Sequence, residues 1–168
     1  RDIANSINHQ YGEEIFVIPE AKFDEKVMVV PGTDGQKMSK SYGNTIDLFL
    51  PQKKLRKQVM GIITDSTPLE EPKDPDTCNV FKLYSLLASD EQILQMRENY
   101  EGGNYGYGHA KQELFELLIK RFENERSNFD ELINNQELIE QKLSLGEEKA
   151  RTIAQKTLQR VRRVMGYA

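Results

Sequence analysis

The chain has 168 residues, of which 38% are hydrophobic and 30% charged, with a net charge of −4. No apolar run approaches the roughly 20 residues that a membrane span needs, and the polar opening Arg1-Asp2-Ile3-Ala4-Asn5 lacks the apolar core of an export signal. A single cysteine, Cys78, cannot form an internal disulfide; it reads as a small packed residue in a protein of a reducing cytosol, and no HExxH pair or cysteine cluster points to a metal.

The first phrase is helical, with Ile3, Ala4 and Ile7 on one face. The chain opens inside that phrase and without Met, as expected for a piece of a longer protein. Two short apolar runs follow: Glu14-Ile15-Phe16-Val17-Ile18, stopped by Pro19, and Val27-Met28-Val29-Val30, stopped by Pro31-Gly32. Each reads as a buried strand, and a helix leading into two such strands predicts the edge of an α/β sheet. So few residues cannot close a sheet, so its remainder is expected upstream of Arg1.

Gly32 to Asn44 turns polar and glycine-containing, a loop expected to be mobile. Leu48 to Met60 has helical spacing with Lys53, Lys54, Arg56 and Lys57 facing outward. Asp65 to Asp76 holds Pro68, Pro72 and Pro75 and reads as a connector. Val80–Leu87 is predicted as a short helix, and a second runs from Asp90, as N-cap, to about Tyr100. Gly102 to Gly108 is a turn whose glycines miss the GxGxxG positions. Leu114, Leu118, Phe122, Phe129, Leu132 and Ile133 mark one face of a single long helix. The last helix carries Ala150, Ile153, Ala154, Thr157, Leu158, Val161, Val164 and Met165, with Ser144 and Glu147 in a capping-box pattern before it. From Leu48 onward the chain therefore reads as a helical bundle.

Charge is unevenly spread. From Glu147 to Ala168 six bases face two acids, with Arg160, Arg162 and Arg163 close together. Such a helix can touch nucleic-acid phosphates, and it can equally be a solvated face. Tyr100, Tyr105 and Tyr107 can stack on bases, although aromatics at helix junctions more often pack. His9 and His109 read as surface or structural residues.

The informative stretch is Lys37-Met38-Ser39-Lys40-Ser41. Two ammonium groups three positions apart, spaced by small hydroxyl residues in a glycine-containing loop, suit a clamp on a polyphosphate. They lower a barrier if they meet the leaving group as its negative charge accumulates. A solvated Lys/Ser loop is the plainer alternative. Gly32 and Gly35 followed by Gln36-Lys37 do not make a Walker A motif.

KMSKS is the second signature of class I aminoacyl-tRNA synthetases. Ile18-Pro19-Glu20, Val27-Met28, Ile63-Thr64-Asp65-Ser66, Tyr100-Glu101-Gly102, Tyr105-Gly106, Lys111 and Met165-Gly166 resemble the tryptophanyl enzymes of that class. The similarity runs over essentially the whole chain. It implies a mainly α fold: residues 1–47 as an edge remnant of a Rossmann-like α/β catalytic domain bearing the loop, and residues 48–168 as an α-helical bundle that recognises tRNA. It also implies ATP and Mg2+, the substrates L-tryptophan and tRNA(Trp), a cytoplasmic homodimer and no membrane. By the same resemblance Lys40 is the principal contact to the departing pyrophosphate and Lys37 its partner. Met38, Ser39 and Ser41 shape the loop, and the Val27 backbone meets the adenine ring. The family's first signature, a His-x-Gly-His element, is absent, so this chain alone is not expected to aminoacylate. A helical interaction module with a coincidental loop and a tyrosyl relative are the competing readings.

Overall fold

The computed structural model describes residues 1–22 and 29–167. Among these the regular structure is helical: α1 (Asp2–Tyr11), α2 (Gln52–Met60), α3 (Asn79–Ser85), α4 (Asp90–Gly102), α5 (Tyr107–Arg121), α6 (Glu123–Ile133) and α7 (Gln136–Met165), with one 3₁₀ turn at Lys40–Tyr42. The chain divides into two compact units, one of Arg1–Phe23 with Glu131–Ala168 and one of Asp24–Asp130. A mainly α chain is therefore what is found.

The expected strand at Glu14–Pro19 is not formed. Backbone groups in an extended segment must find partners, and a ladder requires a neighbouring strand. Here Asn8 on α1 takes that role instead: its Oδ1 accepts from the Ile15 and Phe16 N–H groups at 3.0 and 2.9 Å, and its Nδ2 donates to the Phe16 carbonyl at 2.7 Å. Ile15 is fully buried while Val17 is exposed, a pattern of one anchor and not of an alternating face. Of the second expected strand, Val27 and Met28 lie outside the described residues. Val29 and Val30 are in no strand, and the described residues hold one isolated antiparallel bridge, Pro31 with Lys37.

In the second unit, α2 starts at Gln52, later than its apolar spacing suggested, because Pro51 occupies the N-cap position and the residues before it turn back. The Phe49 N–H bonds the Asp47 carboxylate at 3.0 Å in that turn. Leu55 and Val59 go inward from α2, as do Val80, Phe81, Leu83 and Tyr84 from α3, and Ala110, Leu114 and Leu118 from α5. With Met96 and Tyr100 of α4 they form one core. Burial on this scale stabilises by roughly 1.5–3 kcal/mol per large side chain. Tyr100 is the hub of an aromatic group, with ring centroids 5.7 Å from Phe81, 5.5 Å from Tyr105 and 6.1 Å from Tyr107.

The N-cap of α4 is Ser89, one residue before the expected Asp90. Its Oγ accepts from the Gln92 N–H at 3.3 Å, and the Gln92 side chain accepts from the Ser89 N–H at 3.0 Å. The single long helix expected beyond the glycine turn is two, α5 and α6, parted at Phe122, whose φ and ψ of −109° and 21° leave the helical well. Arg126 on α6 reaches the carbonyls of Leu48 and Leu50, the latter at 2.9 Å, and Phe129 stacks on Phe49 at 4.6 Å. These contacts hold α6 against the turn that precedes α2.

The expected capping box at Ser144 and Glu147 does not start a helix. Helix α7 is capped by Asn135, whose Oδ1 accepts from the Leu138 N–H at 3.1 Å, and runs unbroken for 30 residues from Gln136. Ser144 and Glu147 sit in its interior. Residues 136–143 contain good helix formers and no breaker, so the helix already supplies partners for the amides that a cap would serve.

Candidate functional site: the Gly32–Asn44 loop

Between Pro31 and Asn44 the chain makes a closed polar loop. The Gly32 N–H donates to the Gln36 carbonyl at 2.7 Å, and the Gly35 N–H returns to Gly32 at 3.0 Å. Asp34 accepts the Gln36 N–H at 3.0 Å, which completes a turn around Gly35. Gly35 has φ +80°, the left-handed region that favours glycine, and a Cβ there would also displace the Asn79 side chain, which it would meet at 2.4 Å. One further bond ties the loop to the segment after α2: the Ile63 N–H donates to the Thr33 carbonyl at 2.7 Å, and Asn79 Nδ2 of α3 in turn donates to the Ile63 carbonyl at 3.1 Å.

The signature residues leave this base in sequence. Lys37 and Lys40 are exposed, and among the described residues neither makes an ion pair. Met38 points the other way. Its N–H donates to the Val30 carbonyl at 2.9 Å, and its half-buried side chain lines an apolar hollow of about 250 Å³ with Ile46, Leu48, Leu83 and Leu118. Ser39 caps the 3₁₀ turn that carries Lys40: its Oγ lies 2.7 Å from Ser41 Oγ and accepts from the Ser41 N–H at 3.3 Å. The turn closes at Gly43, in the left-handed region. Four of the five signature residues thus have distinct places in the geometry: two exposed lysines with no ion-pair partner among the described residues, one methionine as anchor, and one serine as cap. Val27 lies outside the described residues.

Two residues that the sequence did not single out organise the loop. Asn44 is buried, and its amide bonds the Ser39 N–H, the Asp34 carboxylate and the Lys37 carbonyl. The Asn44 amide above all holds the Asp34 carboxyl below its ordinary range, with desolvation opposing it and the Gln36 N–H assisting. The signal that existed was Asp34-Gly35, a turn dipeptide just before the signature.

The other candidates behave differently. The phenols of Tyr105 and Tyr107 are committed to Glu113 at 2.8 Å and Asp65 at 2.7 Å, and burial raises the pKa of all three tyrosines of the cluster. They pack, and none is presented for stacking on a base. Asp65 is in turn held low by Thr67 and then by Tyr107. His109 accepts from the Gly106 N–H at 3.4 Å at the start of α5, a structural role. Cys78 is buried, with Sγ 3.4 Å from Tyr100 Oη. Of the basic residues on α7, Arg151 pairs with Glu147 and Arg163 with Glu13 at 3.3 Å. Arg162 stands exposed at the end of the helix. Among the described residues no group of three or more His, Cys, Asp or Glu could hold a metal ion, and no helix is long and apolar enough to cross a membrane.

Comparison with known proteins gives a consistent picture. Residues 1–123 match the family described as tRNA synthetases class I (W and Y). A tryptophan–tRNA ligase of Fusobacterium nucleatum is 46% identical over 166 residues, which cover 99% of this chain and 51% of that protein. One from Campylobacter jejuni is 45% identical, with 99% and 52% covered. The crystal structure of C. jejuni tryptophanyl-tRNA synthetase complexed with ADP and tryptophan superposes with a TM-score of 0.82 at 45% identity, covering 99% of this chain and 52% of that one. The chain spans about half the length of the curated relatives it matches.

Proposed function

Because the chain belongs to the class I tRNA synthetase family of the tryptophan and tyrosine enzymes, we propose that it is the C-terminal part of a tryptophan–tRNA ligase. The choice of tryptophan over tyrosine rests on relatives of that name sharing 45–46% identity with it. In the proposed reaction an oxygen of the tryptophan carboxylate attacks the α-phosphorus of ATP. The bond from that phosphorus to its bridging oxygen breaks, giving tryptophanyl-adenylate and pyrophosphate, and the tryptophanyl group then passes to tRNA(Trp).

Residues 37 and 40 carry this reading: two exposed ammonium groups with no ion-pair partner among the described residues, on a loop whose base is tied to the core. Charge builds on the bridging and terminal oxygens as pyrophosphate leaves. Preorganised cations at that position stabilise the transition state more than the ground state. Lys40 is assigned the leaving-group contact and Lys37 the second one, with Ser39 and Ser41 shaping the turn between them and Met38 anchoring it. Val27 is kept as the residue whose backbone meets adenine. Mg2+ is assigned to the triphosphate, where it supplies charge neutralisation of the phosphate oxygens. Residues 1–47 are read as the end of a Rossmann-like catalytic domain and 48–168 as the tRNA-recognition domain. A cytoplasmic homodimer follows from the family resemblance alone.

The test is Lys40→Ala in the full-length enzyme, measured as tryptophan-dependent exchange of pyrophosphate into ATP. Loss of one transition-state contact of this kind costs about 2–4 kcal/mol. A rate equal to that of the unsubstituted enzyme would remove the assignment.

A further inference from the structure

The most completely satisfied polar side chain of the loop is the amide beside its lysines. Asn44 is 3% exposed. Its Oδ1 accepts from the Ser39 N–H at 2.8 Å, and its Nδ2 donates to Asp34 Oδ1 at 2.8 Å and to the Lys37 carbonyl at 3.2 Å. Its own carbonyl accepts from the Thr33 N–H at 2.9 Å. Both amide hydrogens and the amide oxygen are used, so only one orientation of the group meets every partner. Aspartate has the shape but no donor, and a hydroxyl lacks the reach.

Two of those bonds land on the backbone of residues 37 and 39, on either side of Met38. They therefore set the direction in which Lys37 leaves the loop base and in which Ser39 enters the turn that carries Lys40. Room for the amide is left by Gly32, where a Cβ would lie 2.3 Å from Asn44 Nδ2. Asp34 orients the amide by fixing its nitrogen end.

We propose that Asn44, oriented by Asp34, is the positioning residue of the signature loop, holding the Lys37 and Ser39 backbone so that both ammonium groups address one triphosphate. This rests on the function proposed above. Asn44 touches no substrate in this scheme. Its contribution is geometric, and a misplacement of about 1 Å at a reacting centre costs on the order of 10²-fold in rate.

The experiment uses the full-length enzyme and the same exchange assay, with Asn44→Asp, the swap Asp34→Asn/Asn44→Asp, and Lys40→Ala as reference. Asn44→Asp sets two carboxylates against each other and deprives the Lys37 carbonyl of its donor. The expected result is a kcat lowered by about 10²-fold with the KM for tryptophan within about twofold. The swap again faces a carboxylate with an amide and is expected to recover about tenfold of that loss. A normal kcat in Asn44→Asp, or a swap no better than Asn44→Asp, overturns the proposal. If Asn44→Asp lacks a cooperative melting transition, the swap alone decides: a rate above that of Lys40→Ala supports the proposal, and a rate equal to it overturns it. Unchanged exchange in Lys40→Ala removes the role given to the loop lysines and this inference with it, absence of tryptophan-dependent exchange in the unsubstituted enzyme refutes the underlying function, and a low rate in Lys40→Ala with a normal Asn44→Asp refutes only this inference.

Discussion

Lys73 is 4% exposed, and its ammonium group donates to the carbonyls of Pro68, Leu69 and Glu71 at 2.7, 3.3 and 3.0 Å, with the Tyr107 ring 5.6 Å away. Three carbonyls converge because the proline-rich connector curls around one cation, while the Lys73 N–H donates to the Tyr100 carbonyl at 2.7 Å. Lys73→Met keeps the stem and removes the donors, leaving buried acceptors unsatisfied. It is expected to lower unfolding stability by about 3 kcal/mol, seen as a reduced denaturant midpoint at unchanged slope. An unaltered midpoint would show that water replaces the ammonium without cost. At this scale the sequence was legible only where chemistry is written locally. Lys37, Met38, Ser39, Lys40 and Ser41 stand together in the chain and share one loop. Asn44, Asp34 and Lys73 look like ordinary polar residues because their partners are chosen by the tertiary fold.

Helices were legible wherever apolar spacing and a breaker agreed. The segments of α3 and α4, the glycine turn and the start of α5 emerge within a few residues of their expected places. Boundaries failed where two local signals competed. Ser89 and Asp90 are both good caps, and the reciprocal bond with Gln92 favours the serine. Ser89→Ala is therefore expected to cost about 1 kcal/mol, and Asp90→Ala only a few tenths to about 1 kcal/mol through the helix dipole. Paired thermal melts check the order, and a larger loss for Asp90→Ala would return the cap to that residue. The Ser144–Glu147 pattern failed for the complementary reason: it is a valid start signal inside a helix that had already started. The strand at Glu14–Pro19 failed because apolar content marks burial, whereas a ladder also needs a partner, and here Asn8 took its place.

On the scale of the whole chain, packing is unequal between the two units. The core of the Asp24–Asp130 unit gathers side chains from α2, α3, α4 and α5. Helix α7, in contrast, has no buried residue along its 30 positions, with Leu143, Leu145 and Ile153 all more than half exposed. Amphipathic spacing was correctly read as helix there, yet spacing alone does not say whether an apolar face is covered. Local opening follows burial. The thiol of Cys78, inside the core, is expected to react with a maleimide only at the rate of cooperative opening, many orders of magnitude slower than a free thiol. Mass spectrometry of the labelled, folded chain checks this, and prompt modification would contradict the packing described.

The placement of that one sulfur has a practical corollary for anyone wishing to watch the loop. With the chain's native thiol sealed off, a cysteine introduced at Tyr42, which is exposed and next to the signature, offers a reporter dye a single address without a prior cysteine-free background. Fluorescence from that one label can then follow the motion of the loop in real time.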